Sequence, residues 1–211
     1  MHRATITSQT PRGARAAAWR WPNWACSLAV AMCLMGALGV AHNARAQGVE
    51  LATLELRPAD GALTLEFNAR LTLSRAIEDA LRRGVPMYFE VEATLYRSRW
   101  YWRDERVSRI ERSYRLSFQP LTGSWRVGLG ALGQNYATLS EAMAVISRVS
   151  GWQLAEASQL DSGSRYYVEF SYRLDASQLP QPLQIGLGSE WSLGIARVLK
   201  LDDALIEATR R

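Results

Sequence analysis

The sequence predicts a mainly β chain: a single antiparallel β-sandwich-like domain with two short helices, preceded by a secretion signal peptide. Three observations carry that class. Met87, Phe89, Val91, Ala93 and Leu95 alternate with Tyr88, Glu90, Glu92, Thr94 and Tyr96, and Tyr166, Val168, Phe170, Tyr172 and Leu174 repeat the pattern. Alternation of this kind belongs to antiparallel strands with one face in the core. Helical periodicity is confined to two short segments, and the N-terminal segment has the composition of an export signal.

Residues 1–46 are read as that signal. Arg3, Arg12, Arg15 and Arg20 come first without any acid, then Ala25 to Ala41 runs free of charge, and Ala44-Arg45-Ala46 follows. A basic start, an apolar stretch and a small-x-small site in that order is the secretory pattern. Cleavage is expected after Ala46, so that the mature domain, residues 47–211, begins at Gln47; Gly39-Val40-Ala41 is the second choice of site. An uncleaved anchor is the competing reading, but the apolar run sits at the lower end of the roughly 17 to 25 residues that span a bilayer. A lipid anchor is disfavoured because Met32, not a small residue, precedes Cys33, and Cys26 lies too near the start of the run.

Removing this segment changes both charge and chemistry. It holds five arginines and no acid, so the formal charge of +5 disappears and twenty basic residues face twenty acidic ones. The basic whole-chain balance therefore gives no argument for nucleic acid or an anionic membrane as a partner of the mature domain. His2, His42, Cys26 and Cys33 all precede the expected cut. A mature chain without His or Cys lacks the parts for Ser-His-Asp and Cys-His nucleophiles, histidine bases, ordinary zinc sites and thiol exchange. No enzyme, cofactor or metal is expected; what remains for catalysis is carboxylates, as in the paired acids of glycosidases, tyrosines or the single lysine, Lys200. The run GLGALG at 128–133 lacks the Gly-Lys-Ser/Thr ending of a phosphate loop and is read as an irregular bend.

Along the mature chain a first strand begins near Val49. The Pro58-Ala59-Asp60-Gly61 turn leads to a second, in which Leu63, Leu65 and Phe67 share one face. The first helix runs from Ser74 to Arg83 and buries Ala76, Ile77, Ala80 and Leu81. The strand Met87 to Leu95 is followed by Ile110, Tyr114, Leu116 and Phe118 in a second alternating run, and by Trp125, Val127 and Leu129 after a turn at Leu121-Thr122-Gly123. For the second helix, Thr138 with Glu141 forms a capping box. Leu139, Ala142, Met143, Ile146 and Val149 make its apolar face, with Gly151 as its left-handed exit. Leu179-Pro180-Gln181-Pro182 reads as an extended link.

One local constellation stands out. Residues 97–115, RSRWYWRDERVSRIERSYR, interleave seven arginines with Trp100, Tyr101, Trp102 and Tyr114, against three acids. Pairing of the flanking strands places Arg97 to Glu105 at a hairpin tip, where recognition surfaces are common. The candidate contact residues are Arg97, Arg99, Trp100, Tyr101, Trp102 and Arg103, since arginine and large aromatics dominate binding hot spots. Alternation sends Trp100 and Trp102 to one face and Tyr101 to the other. Against this stands a structural reading: the arginines pair with Glu90, Glu92, Asp104, Glu105 and Glu111 while the aromatics cover a core edge.

The segments MYFEVEATLYRSRWYWRDE, ATLSEAMAVISRVSGW and YYVEFSYRLDASQLPQPLQIG, followed by Trp191-Ser192-Leu193, together resemble the uncharacterised exported proteobacterial proteins described as domain of unknown function 4390. The likeness runs from about Val49 to Leu201. It implies a Gram-negative envelope protein without assigned activity, in a family often encoded beside a sensor kinase of the nitrogen-regulation type. It supplies no catalytic residues.

Three function classes follow. The first is a non-catalytic periplasmic interaction protein with an envelope protein as partner. The second is a module for envelope glycans or lipids, using Trp100, Tyr101 and Trp102 as stacking surfaces and arginines for phosphate or carboxylate. The third is a carboxylate enzyme, which needs two acids facing each other across a cleft.

Overall fold

The computed structural model describes residues 48–101, 103–179 and 191–211. Two antiparallel sheets account for most of them. The smaller is built from β1 (Gly48–Ala59), β2 (Ala62–Thr72) and β7 (Arg148–Glu156) in the order β1-β2-β7. The larger holds β3 (Met87–Arg97), β4 (Glu105–Gln119), β5 (Ser124–Leu129), β6 (Leu132–Tyr136), β8 (Tyr166–Leu174) and β9 (Gly194–Lys200) in the order β6-β5-β4-β3-β8-β9. Three short helices complete the described part: α1 (Arg75–Arg82), α2 (Leu139–Ile146) and α3 (Asp203–Arg210).

The alternating residues of β3 and β8 form the floor of the core. Met87, Phe89, Val91, Ala93 and Leu95 are fully buried, and Tyr166, Val168, Phe170, Tyr172 and Leu174 lie beside them across the ladder. Leu63, Leu65 and Phe67 of β2 are buried from the smaller sheet. Phe67 closes the gap between the layers, its ring 5.3 Å from Phe170 and 5.9 Å from Tyr172. Burying aromatic rings at these spacings adds to the hydrophobic gain of about 25 cal/mol per Å2 of apolar surface. The Tyr172 hydroxyl, which cannot remain unpaired in such a place, donates to the Ile146 carbonyl at 2.9 Å.

Both expected helices form, with changed ends. Ser74 caps α1 by accepting the Ile77 N–H, and Thr138 and Glu141 make the reciprocal capping box of α2. The expected extent of α2 is corrected: it stops at Ile146, where the Ser147 hydroxyl donates to the Met143 carbonyl at 2.6 Å. Val149 and Gly151 belong to β7 instead. Between the pairs Leu65↔Trp152 and Phe67↔Val149, β2 advances by two residues and β7 by three. Gly151 sits in that bulge at φ +61°, so its left-handed backbone bends a strand and does not end a helix. Val149, Trp152 and Leu154 are the buried residues this strand brings to the core.

Two further expectations are corrected. The helices number three among the described residues, because Asp203–Arg210 is helical, with Ile206 and Thr209 buried and Asp203 and Arg210 at the ends that suit the helix dipole. Residues 128–133 form a hairpin, not an irregular bend: Leu129 pairs with Leu132 around Gly130 and Ala131, and Gly130 has φ +57°. An unexpected residue also faces inward. Arg112 stands opposite Val91 on the core side of β4, and its guanidinium carbon lies 4.7 Å from the Trp152 ring centre. Stacking on the indole face gives the charge an electrostatic partner while its stem packs in the layer.

Candidate functional site

The β3–β4 hairpin expected from alternation is present, and Ser98–Asp104 form its tip. The tip is braced from both sides by the start of β8. Tyr96 and Tyr167, directly opposite each other, stack with centroids 5.3 Å apart. Asp104 receives the Tyr167 hydroxyl at 2.8 Å on one oxygen and the Arg99 N–H at 3.0 Å on the other. These two bonds hold the Asp104 carboxyl below its ordinary value, the Arg99 N–H contributing most and the Tyr167 hydroxyl next. Burial, and after it the hydrogen bond to Asp104, pushes Tyr167 up to about 12. The Ser98 N–H donates to the Arg165 carbonyl at 2.8 Å, a further tie to the same neighbouring segment.

Arg97 and Arg99 serve this scaffold. Arg97 reaches Asp161 at 2.8 Å, Glu105 at 3.5 Å and the Tyr166 hydroxyl at 3.1 Å. Tyr166 in turn accepts the Asp161 N–H. Arg99 pairs with Glu105. For these two arginines the cross-strand pairing reading describes the geometry, as it does for Arg109, which bridges Glu92 and Glu111.

Trp100 and Tyr101 are placed differently. Trp100 is 87 % exposed and Tyr101 68 % exposed, and their rings meet edge to face at 5.0 Å. Strict alternation separates them onto opposite faces; the structure brings them together, because residues 98–101, 103 and 104 lie outside the strands and no ladder fixes the direction of Trp100 and Tyr101. Arg103 is exposed as well and makes no ion pair with a described residue. Trp102, and the cleavage residues Ala44, Ala46 and Gln47, lie outside the described residues.

The result is a braced base carrying an aromatic pair and Arg103, which makes no ion pair with a described residue. Of the bracing residues, Asp104 was expected as an arginine partner and Tyr166 as a core-facing strand residue, whereas Asp161 and Tyr167 escaped notice in the sequence. Tyr167 had a detectable signal, since pairing β8 beside β3 sets it against Tyr96 at the end nearest the tip.

Among the described residues no group of three or more His, Cys, Asp or Glu is placed to hold a metal ion. No described helix is long and apolar enough to cross a membrane. Fold and tip together define a two-sheet antiparallel β domain that displays aromatic side chains on a braced hairpin. The family model for the domain of unknown function DUF4390 matches residues 46–199, and the chain belongs to that family. Comparison with curated proteins and with solved structures returns no match.

Proposed function

We infer that this protein is exported to the periplasm and works there as a non-catalytic interaction protein, capturing an envelope partner with Trp100 and Tyr101. The observation that carries the reading is the exposure of Trp100, 87 %, on a tip held by hydrogen bonds and ion pairs. An indole left in water forgoes roughly 25 cal/mol for each Å2 of apolar surface. A braced loop that nevertheless presents one is arranged for contact, since pre-ordering lowers the entropy lost on binding. Arg103 beside it supplies a charge for an acidic or carbonyl-rich partner surface. Export rests on the order of basic, apolar and Ala-x-Ala segments in residues 1–46. The absence of His and Cys after Ala46 supports a non-catalytic role. The family resemblance makes a membrane sensor kinase the first partner class to examine.

The test is photocrosslinking in living cells. A benzophenone amino acid at position 100 is expected to give a discrete adduct, and the same group at Leu121, exposed at the far end of β4, none. N-terminal sequencing of the cross-linked species is expected to begin at Gln47. Adducts of equal yield at both positions, or none at position 100, would remove the tip from the reading; a chain beginning at Met1 would remove export.

A further inference from the structure

A second place on the molecule gathers cations that make no ion pair with a described residue. On the outer face of the larger sheet an ion-pair ladder covers the β8-β3-β4 side. Arg173 holds Glu90 at 2.7 Å, and Arg109 holds Glu92 at 2.9 Å and Glu111 at 3.1 Å. Towards β5 and β6 the ladder stops. There Tyr88 stands opposite Arg115, Arg115 opposite Gly128, and Gly128 opposite Gly133; in the next row Ser117 stands opposite Arg126. Arg115 and Arg126 are thus diagonal neighbours on one face, within reach of each other's long side chains. Neither makes an ion pair with a described residue.

Two strand glycines lie against these arginines. A Cβ at Gly133 would fall 2.8 Å from Arg126 Nη2 and 2.9 Å from its Nε, so the guanidinium rests directly on the Gly133 backbone. Gly128, in the same row, also lines the groove, and a Cβ there would stand 3.7 Å from the Arg115 Cβ. The groove has a volume of about 310 Å3 and is lined by Tyr88, Ser113, Arg115, Ser117, Arg126 and Gly128, among others. No described carboxylate lines the groove; Glu90 is held by Arg173, and Asp175 accepts from the Ser177 N–H and hydroxyl and the Gln178 amide.

We propose that this groove binds a phosphate-class oxyanion between Arg115 and Arg126. Each guanidinium presents a planar fork of N–H donors, and the Ser113, Ser117 and Tyr88 hydroxyls can add O–H donors around the same space. One fork satisfies a carboxylate. A phosphate, with three terminal oxygens, can accept from two forks at once and still take a hydroxyl. The same oxyanion occurs free or as a lipid headgroup. The groove uses no residue of the β3–β4 tip, so this site stands independently of the tip's role.

The experiment has two arms. Inorganic phosphate is titrated calorimetrically into residues 47–211, and the same protein is sedimented with phosphatidylcholine vesicles with and without phosphatidate. Saturable binding in either arm is expected to weaken about tenfold or more in Arg115→Ala and in Arg126→Ala, the loss that follows from removing one charged hydrogen-bonding partner. Gly133→Ala is expected to weaken it too, by displacing Arg126 while keeping both charges, whereas Arg148→Ala on the smaller sheet leaves it unchanged. Saturable binding of inorganic phosphate identifies the free anion as sufficient; phosphatidate-dependent sedimentation without it identifies the headgroup. Circular dichroism establishes that each variant is folded. Absence of saturable binding in both arms, or binding that survives the Arg115→Ala/Arg126→Ala double substitution, overturns the proposal.

Discussion

Tyr167 donates its hydroxyl to Asp104 across 2.8 Å, joining the second residue of β8 to the last residue of the β3–β4 tip. The bond couples two titrations whose folded values move apart, and the tip's order therefore depends on pH at both extremes.

Asp104 has a folded value below its ordinary 3.8. A depressed carboxyl contributes stability above its unfolded value and loses it as pH falls through the folded one. Tyr167 moves from 10.0 to about 12, so its contribution is full below about 10 and is lost as pH rises through about 12. The Arg99 amide resonance is expected to follow the Asp104 titration at low pH. Tyr167→Phe should move that titration up towards the ordinary value and remove one late-titrating tyrosine from the tyrosinate absorbance curve. An Arg99 resonance that ignores the Tyr167→Phe change would show that the two groups are not coupled.

Trp100→Ala and Tyr101→Ala should alter folding stability by less than about 0.5 kcal/mol, as exposed residues do, and abolish capture of the partner. Chemical denaturation measures the first and the crosslinking assay, with the probe moved to Arg103, the second. Quenching by acrylamide is expected to fall clearly in Trp100→Ala, because the most accessible described indole is gone.

Phe67→Ala should cost about 3–5 kcal/mol, the range for a fully enclosed aromatic ring, since its ring touches Phe170 and Tyr172 from the opposite sheet. Tyr172→Phe keeps the packing and removes only the bond to the Ile146 carbonyl. A loss of about 1–3 kcal/mol follows from leaving that buried acceptor unpaired. Equal losses for the two variants in urea unfolding would contradict the division between packing and hydrogen bonding.

Gly151→Ala should destabilise by about 1–2 kcal/mol, the cost of placing a Cβ in the left-handed region, because φ there is +61°. Space is not the reason, since nothing lies within 4 Å of the added carbon. Gly151→Asn should recover part of the loss, asparagine tolerating that conformation better.

Strands were legible wherever one face was uniformly apolar, as in Met87 to Leu95 and Tyr166 to Leu174. Those of mixed face escaped. In β7 the two bulges break the period of two, and Val149 falls three residues after Ile146, a spacing that also fits a helix. The edge strands β6 and β9 are mostly exposed and carry little apolar signal. Arg112 interrupts the apolar inward run from Ile110 to Phe118 on β4, and only the position of Trp152 on the other sheet explains it. At the tip, the residue types pointed to the right segment, yet the division of labour depended on contacts distant in sequence. Arg97 is engaged by Asp161 and Tyr166, which no local pattern reveals.

The strand order has a kinetic consequence. β2 finds its second neighbour only in β7, and β3 its second neighbour only in β8, so each waits while the intervening strands are laid down. A chain emerging N-terminus first thus presents the β1–β2 and β3–β4 hairpins with open edges long before the layers can close. Non-local pairing of this kind makes folding slow, on the order of milliseconds to seconds, and leaves unpaired edges open to neighbouring chains meanwhile. The interval before β7 and β8 arrive is therefore when a holding chaperone would protect this domain, and truncation before Tyr166 should yield aggregates in place of a smaller folded unit.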